Sequence, residues 1–349
     1  MYIRAASNIS PQNTFGNQPL LTALVEHTGD KLTCQEPDYK ILINLKLIRR
    51  MSRIIKMSVA AGMACLQEAE TDAPDAIITG SAYGCLEDTN IFLSKMVQQN
   101  EEALAPTAFI QSTHNTISAQ IALLLQCHNY NNTFVNGGAS FENALLDAMM
   151  LLHEGEAANV LVGGIDEITA NSHTILKRMG LYRREAVSNL DLLTTGCKGT
   201  MGGEGAAFFL LSDKPSGNDW AKIDGVSGFY KPRHPAEIQQ QISNFLSAQN
   251  IGINGIDLVI NGKNGDVKND SFYPQVQKKL FADTAAISYK HLCGEYPTSS
   301  AFALWLAASI IKTGNVPPAF GHTKMPVKKI LIYNHYQNIH HSLILLSAC

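Results

Sequence analysis

The chain has 349 residues, of which 45% are hydrophobic and 16% are charged, and its formal net charge at pH 7 is -3. This composition is typical of a globular protein with a large buried core. No run of Lys and Arg could neutralise a nucleic-acid backbone, and no apolar run approaches the ~20 residues that cross a bilayer. Because the N-terminus also lacks the apolar region of a signal peptide, we expect a cytoplasmic protein without nucleic-acid or membrane partners.

The seven cysteines stand singly, without the C-x-x-C spacing that is typical of zinc and redox sites. Their odd number, in a chain without an export signal, argues against a disulfide framework. We expect most of them to be small buried apolar residues, and we expect neither a metal site nor a cofactor.

In chain order, the first clear element is a helix over residues 49–70, where apolar residues recur at helical spacing after a basic start. Two series of short apolar runs, each followed by Gly or Asn or by a helical pattern, then predict buried parallel strands. The first series covers residues 75–80, 132–138 and 158–164, and the second covers residues 256–262, 285–290 and 328–334.

One long helix with small residues along a face precedes the last strand of each series. These helices cover residues 139–155 and 298–314, and each ends at a glycine suited to a C-cap. The order strand, strand, helix, strand therefore occurs twice. It predicts a duplicated α/β unit with its helices packed between two sheets, although neighbouring βαβ units in any parallel sheet share part of this pattern.

A polar segment rich in turn-forming residues, residues 212–219, separates the two halves. We therefore place an N-terminal half at residues 1–211 and a C-terminal half at residues 212–349. The two halves are expected to form one integrated unit.

Five segments, in order, resemble landmarks of the β-ketoacyl synthase family. Each segment alone has an ordinary structural explanation, but five segments in the same order as in the family make a specific resemblance. The resemblance implies a thiolase-like fold, with a duplicated five-layer α-β-α-β-α architecture. The segments are RRMSRIIKMSVAAGMACLQEA (residues 49–69), TFVNGGASFENAL (133–145), ANVLVGGIDEIT (158–169), MGGEGAAFFLL (201–211) and AISYKHLCGEYPTSSAFAL (286–304).

The condensation catalysed by this family needs a thiolate at a helix N-terminus and two imidazoles on the extender thioester. By the resemblance, Gly138 stands at the position of the nucleophilic Cys, Lys263 at the first His and Glu295 at the second His, while Lys290 matches the family's lysine. Glycine cannot carry an acyl group, and a carboxylate repels the anionic extender. The resemblance therefore implies a subunit that does not condense.

Other residues near these positions receive structural interpretations. Ser140 has no evident base and is interpreted as a helix-turn hydroxyl. Lys263 and Glu295 are expected to form a buried ion pair, with Lys290 as further scaffold. The family's glycine-rich C-terminal loop corresponds to residues 334–339, where no glycine remains, so its tight, mobile turn is not expected to survive.

The remaining histidines near these segments offer no replacement for the lost imidazoles. His340 and His341 flank the last strand, and His114 is placed in a helix. We interpret all three as surface or packing residues.

Ketosynthases of this family dimerise through the strand before the nucleophile, and the preceding helix reaches the partner's acyl tunnel. These elements correspond here to residues 131–136 and 106–126. The resemblance thus implies a chain-length-factor-like partner of an active ketosynthase, or a homodimer, working with an acyl carrier protein in polyketide, polyene or fatty-acid-type chain elongation. Known chain-length factors carry Gln where this chain has Gly138, so their residual decarboxylation chemistry does not transfer.

Four residues are candidates to line or cap the partner's acyl tunnel: Phe109, Ile110, Thr113 and His114. For Phe109 and Ile110, filling of the dimer core is an equally good interpretation.

Two other functions stay open. One is an enzyme that uses Lys263, Glu295 or Cys293 on an acyl thioester. The other is a homodimeric acyl-binding or structural protein.

Overall fold

The computed structural model describes residues 1–16, 20–321 and 326–349. Its strands are β1 (Tyr2–Ile9), β2 (Thr28–Gly29), β3 (Ala76–Gly80), β4 (Tyr130–Phe134), β5 (Asn159–Asp166), β6 (Val187–Ser188), β7 (Gly205–Ser212), β8 (Ala221–Tyr230), β9 (Leu258–Asn261), β10 (Ala285–Ser288), β11 (Lys329–Tyr336) and β12 (His340–Ser347). Its α-helices are α1 (Leu45–Ile48), α2 (Arg53–Glu68), α3 (Leu86–Gln98), α4 (Pro106–Gln111), α5 (Thr116–Leu125), α6 (Ser140–Glu154), α7 (Ala170–Arg178), α8 (Pro235–Ala248), α9 (Val267–Asp270), α10 (Phe272–Leu280), α11 (Lys290–Cys293) and α12 (Ser300–Thr313).

Ten of these strands are hydrogen-bonded in the order β10-β9-β11-β12-β8-β1-β7-β5-β3-β4. The two halves meet where β1 and β8 pair over only two residues of each strand. Outward from this junction, the strands of the two halves follow one another in the same order. Each half also contains one strand that pairs in parallel with both of its neighbours. In the first half β3 pairs with β4 and β5, and in the second half β9 pairs with β10 and β11. This equivalence confirms the predicted duplicated α/β architecture.

Helices α6 and α12 form the central layer between the two halves of the sheet. Helix α12 is buried continuously from Ser300 to Ile310, as a helix that is apolar all round must be. One core cluster joins these two helices to strands of both halves. Helices α2 and α5 cover the outer face of the first half, and α8 and α10 cover that of the second. The layers therefore follow the expected α-β-α-β-α order.

Most predicted elements are found with small changes at their ends. The helix predicted over residues 49–70 is α2 (Arg53–Glu68), and the long helices end at Gly155 and Gly314, which have positive φ angles of 75° and 66°. Residues 212–219 lie at the connection between β7 and β8. None of the helices in the described ranges is long and apolar enough to span a membrane.

The prediction of one helix over residues 106–126 is wrong, because a turn at residues 112–115 separates α4 from α5. Hydroxyl groups bond the last carbonyls of α4: Ser112 Oγ donates to the Phe109 carbonyl (2.7 Å), and Thr116 Oγ1 donates to the Ile110 carbonyl (2.9 Å). Such bonds compete with helix continuation. His114 therefore lies in this turn and not in a helix.

Two histidines of the β11–β12 hairpin are buried in the C-terminal half. The Nε2 of His335 lies 3.0 Å from the carbonyl of Asn269, and its Nδ1 accepts the N–H of Asn338 (3.3 Å), which fits a neutral ring. The Nδ1 of His341 lies 3.2 Å from the hydroxyl of Tyr333. Burial, with Lys290 as a second cause, holds the pKa of His335 well below its usual range, and burial lowers the pKa of His341 to about 4.

Acidification is therefore expected to destabilise the fold. Unfolded His341 takes up a proton near pH 6.5, whereas the folded state does so only near pH 4. The unfolded chain binds more protons between these values, so the free energy of unfolding falls as the pH drops below about 6.5. At pH 5 the loss from His341 is on the order of 2 kcal/mol.

Urea denaturation at pH 7.5 and pH 5.0 measures this effect. His341→Gln should reduce the pH dependence, while the same change at exposed His153 should leave it as it is. Equal pH dependence in the parent protein and His341→Gln would contradict the assignment of a neutral buried ring.

Candidate functional site

The turn before α6 is where the family's nucleophile is expected. Strand β4 ends at Phe134, and residues 137–139 form a single 3-10 turn that leads into the helix at Ser140. Ser140 Oγ donates to the carbonyl of Gly137 (2.8 Å) and accepts the N–H of Asn136 (2.8 Å). Both contacts are internal to the turn, which agrees with the structural interpretation of this hydroxyl.

The aromatic side chain of Tyr336 fills the space beside Gly138. A Cβ atom on Gly138 would collide with the Cβ of Tyr336 and would lie 2.9 Å from its Cγ. The Tyr336 hydroxyl lies 3.2 Å from the hydroxyl of Tyr83. Residue 138 therefore has no room for a side chain unless Tyr336 moves.

Lys290 and Glu295 form a buried ion pair, and Glu295 is the residue that the sequence resemblance aligns with the family's second histidine. The Nζ of Lys290 donates to both carboxylate oxygens, at 2.8 and 2.9 Å, and to the carbonyl of His335 at 3.0 Å. The amide of Asn264 donates to Oε2 of Glu295. Lys290 is fully buried and Glu295 is 5% exposed. Both charges thus have partners, which a buried ion pair requires.

The predicted ion pair between Lys263 and Glu295 is wrong, because Lys290 takes that role. Gly294 has a φ of 79° and its N–H bonds the Lys290 carbonyl at 2.7 Å, so the chain turns sharply between the two charged residues. Lys263 is half-buried, and it has no ion pair with any residue in the described ranges. Its neighbour Asn264, and not Lys263 itself, donates a side-chain hydrogen bond to Glu295.

The tight turn after β11 does form, although no glycine is present. Gln337 and Asn338 both adopt left-handed backbone angles, with φ of 55° and 53°. The N–H of Ile339 bonds the carbonyl of Tyr336 at 3.0 Å. The expectation that this tight turn would be lost is therefore wrong. Eight residue pairs between β11 and β12 hold the hairpin closed despite the backbone cost.

Cys293 is fully buried, and burial raises the pKa of its thiol well above the ordinary value. This opposes formation of the thiolate that a nucleophile needs. The nearby His291 is mostly buried, and burial lowers its pKa to about 4. Within the described residues there is no group of three or more His, Cys, Asp or Glu side chains placed to hold a metal ion.

The four candidate tunnel residues lie on α4 and in the turn that follows it. Phe109 and Ile110 are 56% and 62% exposed, and Thr113 and His114 follow in the turn. Helix α5, which comes next, packs on the edge strand β4. The exposed apolar side chains of this region form what we call the β4 surface: Phe109, Ile110, Leu123, Tyr130 and Val135.

Sequence reasoning missed two residues that complete the site. Asn264 was missed because nothing marks it as the partner of a distant carboxylate. Tyr336 was missed because only the loss of glycine in that loop was considered, and not the volume of the residue that replaced it. A large side chain at a position where the family has glycine was the available signal.

The architecture is that of the thiolase-like fold, and comparisons with known proteins agree. Residues 31–181 match the family described as beta-ketoacyl synthase, N-terminal domain. No curated protein matches the chain. Residues 31–181 thus resemble the β-ketoacyl synthase family, and the whole chain has the thiolase-like fold.

Three solved structures illustrate the likeness. The ishigamide ketosynthase/chain length factor has a TM-score of 0.82 at 18% identity, with 100% of this chain and 98% of that chain covered. A beta-ketoacyl synthase from Burkholderia phymatum STM815 has a TM-score of 0.83 at 14% identity, with 100% and 99% covered. A type II PKS acyl-carrier protein in complex with its ketosynthase bound to the hexaketide has a TM-score of 0.76 at 14% identity, with 100% and 99% covered.

Restoring the nucleophile alone is expected to fail. Gly138→Cys should lower the free energy of unfolding by about 1–3 kcal/mol, because the new side chain overpacks against Tyr336. Tyr336→Ala alone should also be destabilising, because it removes a packed aromatic ring. In the double variant the overlap is gone, so its loss of stability should be smaller than the sum of the two single losses, and the new thiol should be reactive. Urea denaturation measures stability, and maleimide labelling followed by peptide mass spectrometry measures reactivity at residue 138. Additive losses of stability, and equally fast labelling in Gly138→Cys and the double variant, would show that Tyr336 does not fill this space.

Breaking the buried ion pair is expected to be costly. Lys290→Met leaves Glu295 charged without its cation and should destabilise the protein by about 3–5 kcal/mol. Lys290→Met combined with Glu295→Met should recover a large part of that loss. Lys222→Met removes a cation that is 42% exposed and paired with Asp224, so as a control it should cost no more than about 1 kcal/mol. Chemical denaturation compares the variants, and a double variant as unstable as Lys290→Met would refute the pairing argument.

Proposed function

We propose that this protein is a non-condensing, chain-length-factor-like subunit that pairs with an active ketosynthase. It would act with an acyl carrier protein in polyketide, polyene or fatty-acid-type chain elongation. The observation that carries the proposal is the contact between Tyr336 and Gly138. A side chain fills the place where an acyl-bearing sulfur would have to stand, at the N-terminus of α6.

The chemistry of the surrounding groups supports this loss of condensing activity. Condensation needs a thiolate and two neutral or donating imidazoles around one thioester. Glu295 is instead an anion held by Lys290, and its carboxylate cannot take over the role of an imidazole. Ser140 is engaged within its own turn, and the Cys293 thiol is buried.

The β4 surface supports association with a second thiolase-like subunit. Strand β4 is the last strand of its sheet, so one side of its backbone has no strand neighbour within the described chain. Exposed sheet edges bordered by apolar side chains are ready to pair with another chain. One structural neighbour is a ketosynthase/chain length factor, which favours a different partner subunit over a second copy.

A carrier protein follows from the proposed role. A subunit that limits chain length acts on a chain that an active ketosynthase extends, and that chain must be delivered as a thioester. A structural neighbour has been solved as a complex of an acyl-carrier protein with its ketosynthase. Phe109 and Ile110 are then the candidates to line or cap the partner's tunnel, together with Thr113 and His114.

Co-expression with a ketosynthase encoded nearby tests the proposal. Size-exclusion chromatography should give a stable mixed dimer, and the ketosynthase should elongate carrier-bound chains only in that dimer. Phe109→Arg should abolish the mixed dimer by placing a charge in the β4 surface. Ile175→Arg is the matched control, because Ile175 is 57% exposed but lies on α7, outside that surface.

Two outcomes would contradict this function. One is a persistent homodimer that binds no ketosynthase. The other is hydrolysis or transfer of an acyl thioester by the isolated protein that disappears in Lys263→Ala, which would favour the alternative of an enzyme with different chemistry.

A further inference from the structure

A cavity of about 540 Å³ lies between the C-terminal ends of α2 and α12, on one side of β1. Its volume is within the range of small-molecule sites. Lys312 lies twelve residues after Ser300, where α12 begins. At about 1.5 Å per residue this is roughly 18 Å along the helix. The cavity is therefore at the opposite end of α12 from the Lys290–Glu295 pair. A ligand site there is separate from the proposed function.

The walls of this cavity are largely aromatic and aliphatic. The chain has two tryptophans, and both of them, Trp220 and Trp305, line the cavity. They are only 9% and 6% exposed. Phe15 and Leu42 add further apolar surface. Such walls favour a ligand with an apolar chain or ring.

Most of the polar side chains among the described residues of the lining can donate a hydrogen bond. The Nζ of Lys312 lies 3.7 Å from the centre of the Trp220 ring and 2.9 Å from Oε1 of Glu68. Ser7 is 8% exposed, and the structure gives its hydroxyl no hydrogen-bond partner among the described residues. Gln67 also lines the cavity. Glu68 is the one anionic group among the described residues that line the cavity, and Lys312 already neutralises it.

We propose that this cavity binds a small carboxylate with an apolar chain or ring. The apolar part lies between the two indoles, and the carboxylate accepts hydrogen bonds from Lys312. The Lys312–Glu68 pair is partly exposed, so the ammonium group can exchange one partner for another at low cost. Lys312 therefore sets the preference for an anion, and the tryptophans provide the apolar contact.

Tryptophan fluorescence tests this proposal directly, because both tryptophans report on the cavity. The probe is sodium octanoate, compared with octanol and octylamine, which have the same chain without a negative charge. Octanoate should change the emission saturably and bind more tightly than octylamine. Calorimetric titration provides a second measurement that does not depend on the fluorophores.

Two variants test the role of the charged residues. Lys312→Met should weaken octanoate binding about tenfold, as expected for the loss of one charge-assisted hydrogen bond, while octanol binding stays unchanged. Glu68→Gln should strengthen octanoate binding, because it removes the competing carboxylate. Lys329→Met, at a lysine outside this cavity, is the control and should change neither.

Absence of saturable octanoate binding by both methods would overturn the proposal. Equal affinity for octanoate and octylamine, or unchanged octanoate affinity in Lys312→Met, would overturn it as well. Far-UV circular dichroism of each variant checks that the fold is intact. Formation of the mixed dimer is measured separately, so failure here is distinguishable from failure of the proposed function.

Discussion

The buried pair of Lys290 and Glu295 ties together three segments that are far apart in sequence. Lys290 bonds the carbonyl of His335 on β11, and Glu295 accepts the amide of Asn264 after β9. The backbone N–H of Glu295 also bonds the carbonyl of Met201 at 2.9 Å, in the segment before β7. These contacts hold loops of both halves of the chain together at one structural junction.

Such a junction has a physical cost as well as a use. Two charges lose their hydration when they are buried, and their attraction offsets this loss only if the remaining polar atoms are satisfied. Here the ammonium group has three acceptors, and each carboxylate oxygen has a donor. The pair is therefore well matched. Its replacement by apolar residues would remove the specific links to Asn264 and His335, so it determines the arrangement of these loops more than it adds to stability.

Sequence reasoning predicted the architecture because the hydrophobic pattern of each helix and strand follows from which of its faces are buried. Residues 76–80 and 330–334 are buried on both faces of their strands, and α12 is buried on all sides from Ser300 to Ile310, which leaves a strong hydrophobic pattern in the sequence. It also predicted the start of α6 closely, because Gly138 lies in a recognisable turn between a strand and a helix. Sequence reasoning failed to predict the partner of Glu295, because this contact depends on the path of the chain in three dimensions. The turn at Gly294, which has a positive φ, brings Glu295 back to Lys290, whereas the prediction paired it with Lys263. It also failed at residues 112–115, where hydroxyl groups end a helix that propensity alone would continue.

The contact between Gly138 and Tyr336 couples two positions that are far apart in sequence. Because no side chain projects from residue 138, a residue from β11 can fill the space beside the N-terminus of α6. Close packing then opposes any larger residue at position 138, because an interior close to crystal density has little room to yield. The two positions are therefore no longer independent. Packing therefore favours glycine at position 138 as long as Tyr336 occupies the space beside it.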